Sequence, residues 1–275
     1  MIRFLRYLPL NLLGNLWGTL SRLPLPRVAR PLVYSMYSVL TGVDRGEIAG
    51  DPRDYRSLAD FFLRPLPKGA RSIATDPDAL ISPVDGAVSE LGAIEDDRLI
   101  QAKGLTYRLD DLIGRKEWAN RFRGGLFITF YLSPKDYHRI HCPCDGIVRA
   151  AEKIPGRLFT VQPWAVNRMP ELYSRNERIT SFLETARGAV AVVKVGAAMV
   201  GGIRLSYDDL RGNTMNGRYE FREYEAGYTM RKGEELGAFA FGSTVIMLLE
   251  TGRGRLGTLH PGDSVRMGGE VARWI

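Results

Sequence analysis

From Gly69 onward the sequence breaks into short apolar runs, each closed by Gly, Pro or Asp. Leu80-Ile81, Gly86 to Ser89, Gly125 to Leu132, Gly146 to Val148, Ala189 to Val195 and Met199 to Leu205 are examples. Runs this short, with turn-forming residues at their ends, suit strands joined by tight connections. They predict a mostly antiparallel β-rich barrel or sandwich. Short helices are expected to interrupt it at Arg108 to Ile113 and near Trp164 to Met169.

The first 67 residues have a different texture. Leu5, Leu8, Leu12, Leu13, Leu16, Trp17 and Leu20 recur at helical spacing, and Arg3, Arg6, Arg22, Arg27 and Arg30 supply the only charges up to Arg30. Pro9, Asn11, Gly14 and Asn15 interrupt the stretch, so it falls short of the roughly 18 apolar residues a spanning helix needs. Basic residues beside Leu and Trp fit a helix lying on an anionic lipid surface; a helix packed on the protein's own core fits the same pattern. A second apolar stretch runs from Leu32 to Leu40. A third helix is expected over Ser57 to Arg64, with Ser57 as N-cap and Pro65 as its stop. The fold class is therefore α+β: amphipathic helices in residues 1–67, then a β-rich domain in 68–275.

Composition narrows the partners. A chain of 275 residues with 45% hydrophobic and 25% charged residues can bury a full core. The net charge of +7 is carried mainly by Arg, since only seven of the 38 basic residues are Lys. Arg forks onto phosphate oxygens, which points to nucleic acid or anionic lipid. No basic-aromatic strand motif or recognition helix supports the nucleic acid. Cys142 and Cys144 stand too close for an ordinary disulfide, so a reducing compartment is expected.

The chemistry gathers on three segments. Leu236 to Leu249 reads as two strand segments meeting at a Gly242-Ser243-Thr244 corner, where glycine allows a kink and Ser243 is either a bulge residue or a reacting group. Tyr131 to Gly146 holds His138, His141 and both cysteines. Those four side chains offer zinc donors, but a structural zinc site draws on two separated pairs and no second cluster exists, so no metal is expected. Ser82-Pro-Val-Asp85-Gly86 sets a carboxylate on a tight turn. Asp85, His141 and Ser243 together supply an orienting carboxylate, a base and a hydroxyl. The Gly-x-Ser-x-Gly elbow of common hydrolases is absent around Ser243.

These segments, with Phe61-Phe-Leu-Arg64, Asn176-Glu-Arg178 and Val195 to Gly201, closely resemble the bacterial, membrane-associated phosphatidylserine decarboxylases. The likeness keeps its order from about Tyr55 to Leu249. It implies that the chain cuts its own Gly242–Ser243 bond: the Ser243 hydroxyl attacks the Gly242 carbonyl, β-elimination opens the ester, and hydrolysis leaves a covalent pyruvoyl group. Residues 1–242 would become a β chain and 243–275 an α chain, the two forming a heterodimer whose higher oligomeric state stays open. The pyruvoyl carbonyl would form a Schiff base with the lipid amine and draw in the electrons released as carbon dioxide leaves, giving phosphatidylethanolamine. Asp85 and His141 match the positions that activate Ser243, and His138 matches a second histidine that contacts substrate or protonates the carbanion. Thr244 could help to position the ester. The partners implied are phosphatidylserine and an anionic membrane surface, with the protein peripheral on the cytoplasmic face of the cell membrane. A serine hydrolase using Ser243, His141 and Asp85 without self-cleavage is the alternative.

Overall fold

The computed structural model describes residues 10–198, 202–212, 217–239 and 243–275. Its N-terminal part is helical. Helix α1 (Leu10–Ser21) is followed by α2 (Arg30–Thr41), which begins with Pro31 in its first turn and ends on Gly42. Gly42 adopts a left-handed φ of 82° and returns its N–H to Ser38 O, a stop that glycine makes at little cost. Two single 3-10 turns, Arg45–Glu47 and Pro52–Asp54, lead to α3 (Leu58–Phe62). Ser57 caps α3 as expected, accepting from Asp60 N–H at 3.1 Å, but the helix ends two residues before Arg64.

The polarity of these helices is turned over. Tyr34 and Ser38 of α2 are buried, with the Tyr34 ring stacked on Phe61 at 4.4 Å and its hydroxyl donated to Tyr55 O. Leu16, Leu20, Leu23, Val28, Leu32, Met36, Val39 and Leu40 instead face outward, Leu40 being 81% exposed. The expected amphipathic helix is present from Leu10; its start over residues 1–9 lies outside the described residues.

The β-rich part follows as β1 (Ala79–Ile81), β2 (Gly86–Ala93), β3 (Arg98–Ala102), β4 (Leu105–Arg108), β5 (Leu126–Leu132), β6 (Arg139–His141) and β7 (Gly146–Ile154). Next come β8 (Arg178–Thr185), β9 (Gly188–Val195), β10 (Ile203–Leu205), β11 (Glu220–Met230), β12 (Glu235–Phe239) and β13 (Ser243–Leu249). The chain ends with β14 (Gly254–Leu256), β15 (Ser264–Val265) and β16 (Glu270–Trp274). Helices α4 (Leu109–Leu112), α5 (Lys116–Phe122), α6 (Pro163–Val166) and α7 (Leu172–Arg175) fill the longer connections. Two of them, α4 and α6, fall where helices were expected.

Eight strands form one antiparallel sheet in the order β11-β7-β8-β9-β13-β5-β2-β15. Its two ends do not pair with one another, so this is an open, sandwich-like arrangement and not a closed barrel. Smaller sheets β10-β12-β6, β1-β16-β14 and β3-β4 complete the body. Strand β13 is buried along its whole length between β5 and β9, and its side chains alternate between two cores. Val245, Met247 and Leu249 join Ile128, Phe130 and Leu132 with Ile140, Ile203, Leu236 and Phe239 of the small β10-β12-β6 sheet. Ile246 and Leu248 join Phe127, Val193 and Val195 with Leu109, Trp118, Phe122 and Tyr173 of the helical layer. The large sheet therefore separates a small sheet on one face from helices on the other.

Candidate active site

The corner expected near Ser243 is a crossing between sheets. Strand β12 belongs to the small β10-β12-β6 sheet and β13 to the centre of the large one, and the chain passes between them from Phe239 to Ser243. Residues 240–242 lie outside the described residues, and with them the Gly242 side of the candidate bond. Ser243 opens β13, paired with Leu132 of β5. It has the parity of Val245 and Met247, so it faces the core shared with the small sheet. Ser243 is fully buried and its Oγ has no hydrogen-bond partner among the described residues. Alternation sends Thr244 to the opposite, helix-covered face, away from the Ser243 hydroxyl. A shared role for the two hydroxyls has no support in that geometry.

Asp85 reaches the same end of the sheet from the other side. It directly precedes β2, whose Ala87 pairs with Tyr131 of β5, so β5 lies between Asp85 and Ser243. Two inter-strand steps separate their backbones, roughly 10 Å. Gly86 permits this approach: a Cβ there would lie 2.3 Å from Tyr131 O and 3.6 Å from Leu132 Cα. The Asp85 carboxylate accepts at Oδ1 from Met267 N–H at 2.8 Å and from Arg71 Nε at 3.0 Å. Arg71 Nη2 donates to Oδ2, and the other edge of the guanidinium clasps both oxygens of Glu47 at 2.8 and 2.7 Å.

The loop after β5 carries the histidines. Ser133 N–H and Oγ both donate to Asp136 Oδ2, a local turn that brings Tyr137 and His138 back into β6. His141 N–H donates to Pro83 O at 2.8 Å, which pins β6 two residues from Asp85. Gly233 O lies 2.8 Å from His141 Nδ1 and can only accept, so Nδ1 carries the proton. Burial pushes the His141 pKa down, and the neutral ring accepts the Tyr137 hydroxyl at Nε2, 3.0 Å away. By the same logic His138 donates Nδ1–H to Asp136 O at 2.8 Å. Its pKa is pushed down to about 3, chiefly by burial, so the ring is neutral at ordinary pH. His138 Nε2 is a buried lone pair without a partner among the described residues, and the ring rests on Phe62 at 4.1 Å. The His138 carbonyl accepts Phe239 N–H at 3.0 Å, which holds the loop against the end of β12.

Asp85, His138, His141 and Ser243 thus lie on segments tied together near one end of the large sheet, through His141 N–H on Pro83 O and Phe239 N–H on the His138 carbonyl. The continuous hydrogen-bonded chain Asp85–His141–Ser243 is not made: Asp85 is held by Arg71 and Met267, and His141 by Gly233 and Tyr137. Arg71, Glu47 and Tyr137 are the members that sequence reasoning missed. Tyr137 sits inside the segment that drew attention to the histidines, whereas Arg71 and Glu47 resemble any loop Arg and Glu and carry no local signal. Cys142 and Cys144 are buried free thiols, with Cys142 Sγ donating to Cys144 O. Among the described residues no group of three or more His, Cys, Asp and Glu side chains could hold a metal ion. His260 lies in an exposed turn, its N–H bonded to Asp263.

Comparison with known proteins places the chain in a family. The pattern of the phosphatidylserine decarboxylase family matches residues 58–273. A phosphatidylserine decarboxylase proenzyme of Anaeromyxobacter sp. (strain K) is 44% identical over 270 residues, covering 97% of this chain and 95% of that protein. One from Brevibacillus brevis is 40% identical over 268 residues, covering 96% and 94%, and one from Xanthomonas euvesicatoria is 40% identical over 269, covering 97% and 96%. The chain in which Ser243 opens the central strand β13 is thus matched over nearly its whole length, and it belongs to the phosphatidylserine decarboxylase family.

Proposed function

We propose that this chain is a proenzyme that cleaves itself between Gly242 and Ser243 and then converts phosphatidylserine to phosphatidylethanolamine and carbon dioxide. The observation that carries this reading is Ser243 itself: a fully buried, unpartnered hydroxyl at the first residue of a central strand, where the chain changes sheets. A structural serine at such a place would be expected to bond a neighbour, because a buried polar group without a partner costs about 1–3 kcal/mol. The relatives are named decarboxylase proenzymes, and nothing in them favours the serine-hydrolase alternative.

In this account His141 takes the Ser243 proton as Oγ attacks the Gly242 carbonyl and gives it to the Ser243 nitrogen as the peptide C–N bond breaks, leaving an ester between Gly242 and the Ser243 oxygen. Tyr137 must either yield Nε2 or pass the proton along, since its hydroxyl occupies that nitrogen. Asp85 favours the imidazolium electrostatically, after Glu235. β-Elimination then frees the Gly242 carboxylate, and water displaces ammonia from the serine-derived end. The new N-terminus suits a pyruvoyl group, because the Ser243 position is dry and the unpartnered His138 Nε2 lies in the segment that holds β12 before the cut. That group supplies a carbonyl for the lipid amine and an electron sink for the departing carboxylate. His138, neutral with an open lone pair at Nε2, is suited to accept a hydrogen bond from the substrate and so to orient it.

The outward aliphatic side chains of α1 and α2 would seat the protein on the bilayer, where its lipid substrate stays. No described helix is long and apolar enough to cross a membrane, which fits peripheral attachment. Residues 1–67 then form the membrane-association region and 68–275 the catalytic body, on the cytoplasmic face. Ser243→Ala tests the proposal: the variant should remain one inactive chain, and a variant that still divides at residue 242 would refute it.

A further inference from the structure

Asp85 does not stand in the site alone. Its carboxylate is clamped by Arg71, whose side chain is only 4% exposed and which also holds Glu47 through two hydrogen bonds. Glu47 comes from the 3-10 turn between α2 and α3, so this triple ion pair ties the N-terminal helical region to the processing end of the sheet. Together with Met267 N–H, Arg71 takes both carboxylate oxygens: Oδ1 accepts from Met267 N–H and Nε, and Oδ2 from Nη2 and, at 3.2 Å, from Nε, which fixes the carboxylate plane.

The charges matter as much as the bonds. Asp85 acts on His141 beside Glu235 and Arg139, and the Arg71 charge paired to it opposes its field. Glu47 offsets Arg71, so the trio keeps a net charge of −1 toward the histidine while Asp85 stays fixed.

We infer that Arg71 is a positioning residue for self-cleavage, aiming Asp85 at the His141 side of the site, and that Glu47 is the counter-charge that lets Asp85 remain effective while clamped. This rests on the reading of Asp85 as part of the processing machinery. Lys in place of Arg71 keeps the charge but loses the fork, which is not a conservative change at a bidentate site. The cavity of about 210 Å³ lined by Glu47, Arg71, Asp85 and Tyr137 gives small molecules a way in.

The test follows appearance of the two fragments over time in full-length protein made by cell-free synthesis, with thermal melting as a check on folding. Arg71→Lys should cleave at least about 10-fold more slowly than wild type, since misaiming a group by a fraction of an ångström has that cost. Glu47→Gln should slow cleavage about threefold, the effect of one charge removed at the edge of the site. Arg71→Ala should be slower still and should regain rate when methylguanidinium is added, a rescue that a merely structural arginine would not give. Wild-type or faster cleavage in Arg71→Lys, or failure of methylguanidinium to rescue a folded Arg71→Ala, overturns the inference. Asp85→Asn separates the two levels: if it cleaves at the wild-type rate, the reading of Asp85 itself has failed. If Asp85→Asn stays uncut while the Arg71 variants cleave normally, only the positioning role has failed.

Discussion

Gly86→Ala exposes how tightly the site is built. Gly86 has a φ of 155°, and the Cβ of an alanine would sit 2.3 Å from Tyr131 O and 3.2 Å from Tyr131 C, both backbone atoms inside the large sheet. Ordinary contact lies near 3.4 Å, so β2 and β5 would have to part by about 1 Å. Overpacking of this kind costs about 1–3 kcal/mol, and the backbone angle adds about 1–2 kcal/mol. The sum, about 2–5 kcal/mol, is a large share of the 5–15 kcal/mol that holds a typical domain together. The displacement would also reach function, because Gly86 follows Asp85 and Tyr131 precedes Leu132, the partner of Ser243. Urea unfolding should be measured in a Ser243→Ala background, where the chain is expected to stay whole. Self-cleavage should be followed with Ser243 in place. Gly104→Ala is the control: φ is 79° there, but nothing lies within 4 Å of the new Cβ, so only the backbone strain of about 1–2 kcal/mol applies. Equal losses in the two variants, or full-rate cleavage in Gly86→Ala, would refute the reasoning.

Replacing Val39 and Leu40 together with Asp should weaken binding to anionic vesicles about 100-fold without lowering the melting temperature; the pair is 72% and 81% exposed, and forfeits about 3 kcal/mol of apolar contact with lipid. Unchanged vesicle binding in sedimentation would remove these side chains from the membrane surface. His138 makes stability pH-dependent. Its folded pKa, about 3, lies below the ordinary 6.5, so the unfolded chain binds the extra proton, and stability falls as pH drops from about 6.5 toward 3. In the uncut Ser243→Ala background, adding His138→Asn should flatten that slope by up to about 1.4 kcal/mol per pH unit, read from urea midpoints between pH 4 and 6.5. An unaltered slope would show that His138 is not held neutral by burial.

Local signals carried much of the fold. Ser57 caps α3 because a short hydroxyl side chain before an apolar turn can take an orphan N–H, and that is visible in five residues. Runs such as Ala189 to Val195 became strands because their β-branched residues fit a sheet buried on both faces. The long strand β11 was not among the runs read as strands: at the edge of the sheet its side chains are mostly half-buried or exposed, and the alternation of Tyr224, Ala226, Tyr228 and Met230 is diluted by Glu and Gly where the other strands have runs of Val, Ile and Leu. Which sheet a strand joins is equally hidden. Leu236 to Leu249 reads as two strand segments, but that β12 and β13 lie in different sheets is set by their partners β6, β5 and β9, far away in sequence. The site divides along the same line. Asp85, His138, His141 and Ser243 announce themselves through turn chemistry and clustering, while the Glu47–Arg71 clamp exists only because the N-terminal helices fold back onto the start of β2.

Self-cleavage is the centre of this account, and the intact mass of the purified wild-type protein tests it most directly. Two chains should be found, one ending at Gly242 and one comprising residues 243–275. The small chain should resist N-terminal sequencing and weigh less than a serine-initiated chain by the difference between serine and pyruvoyl ends, the mass of ammonia. A single chain of 275 residues that nonetheless decarboxylates phosphatidylserine would contradict it.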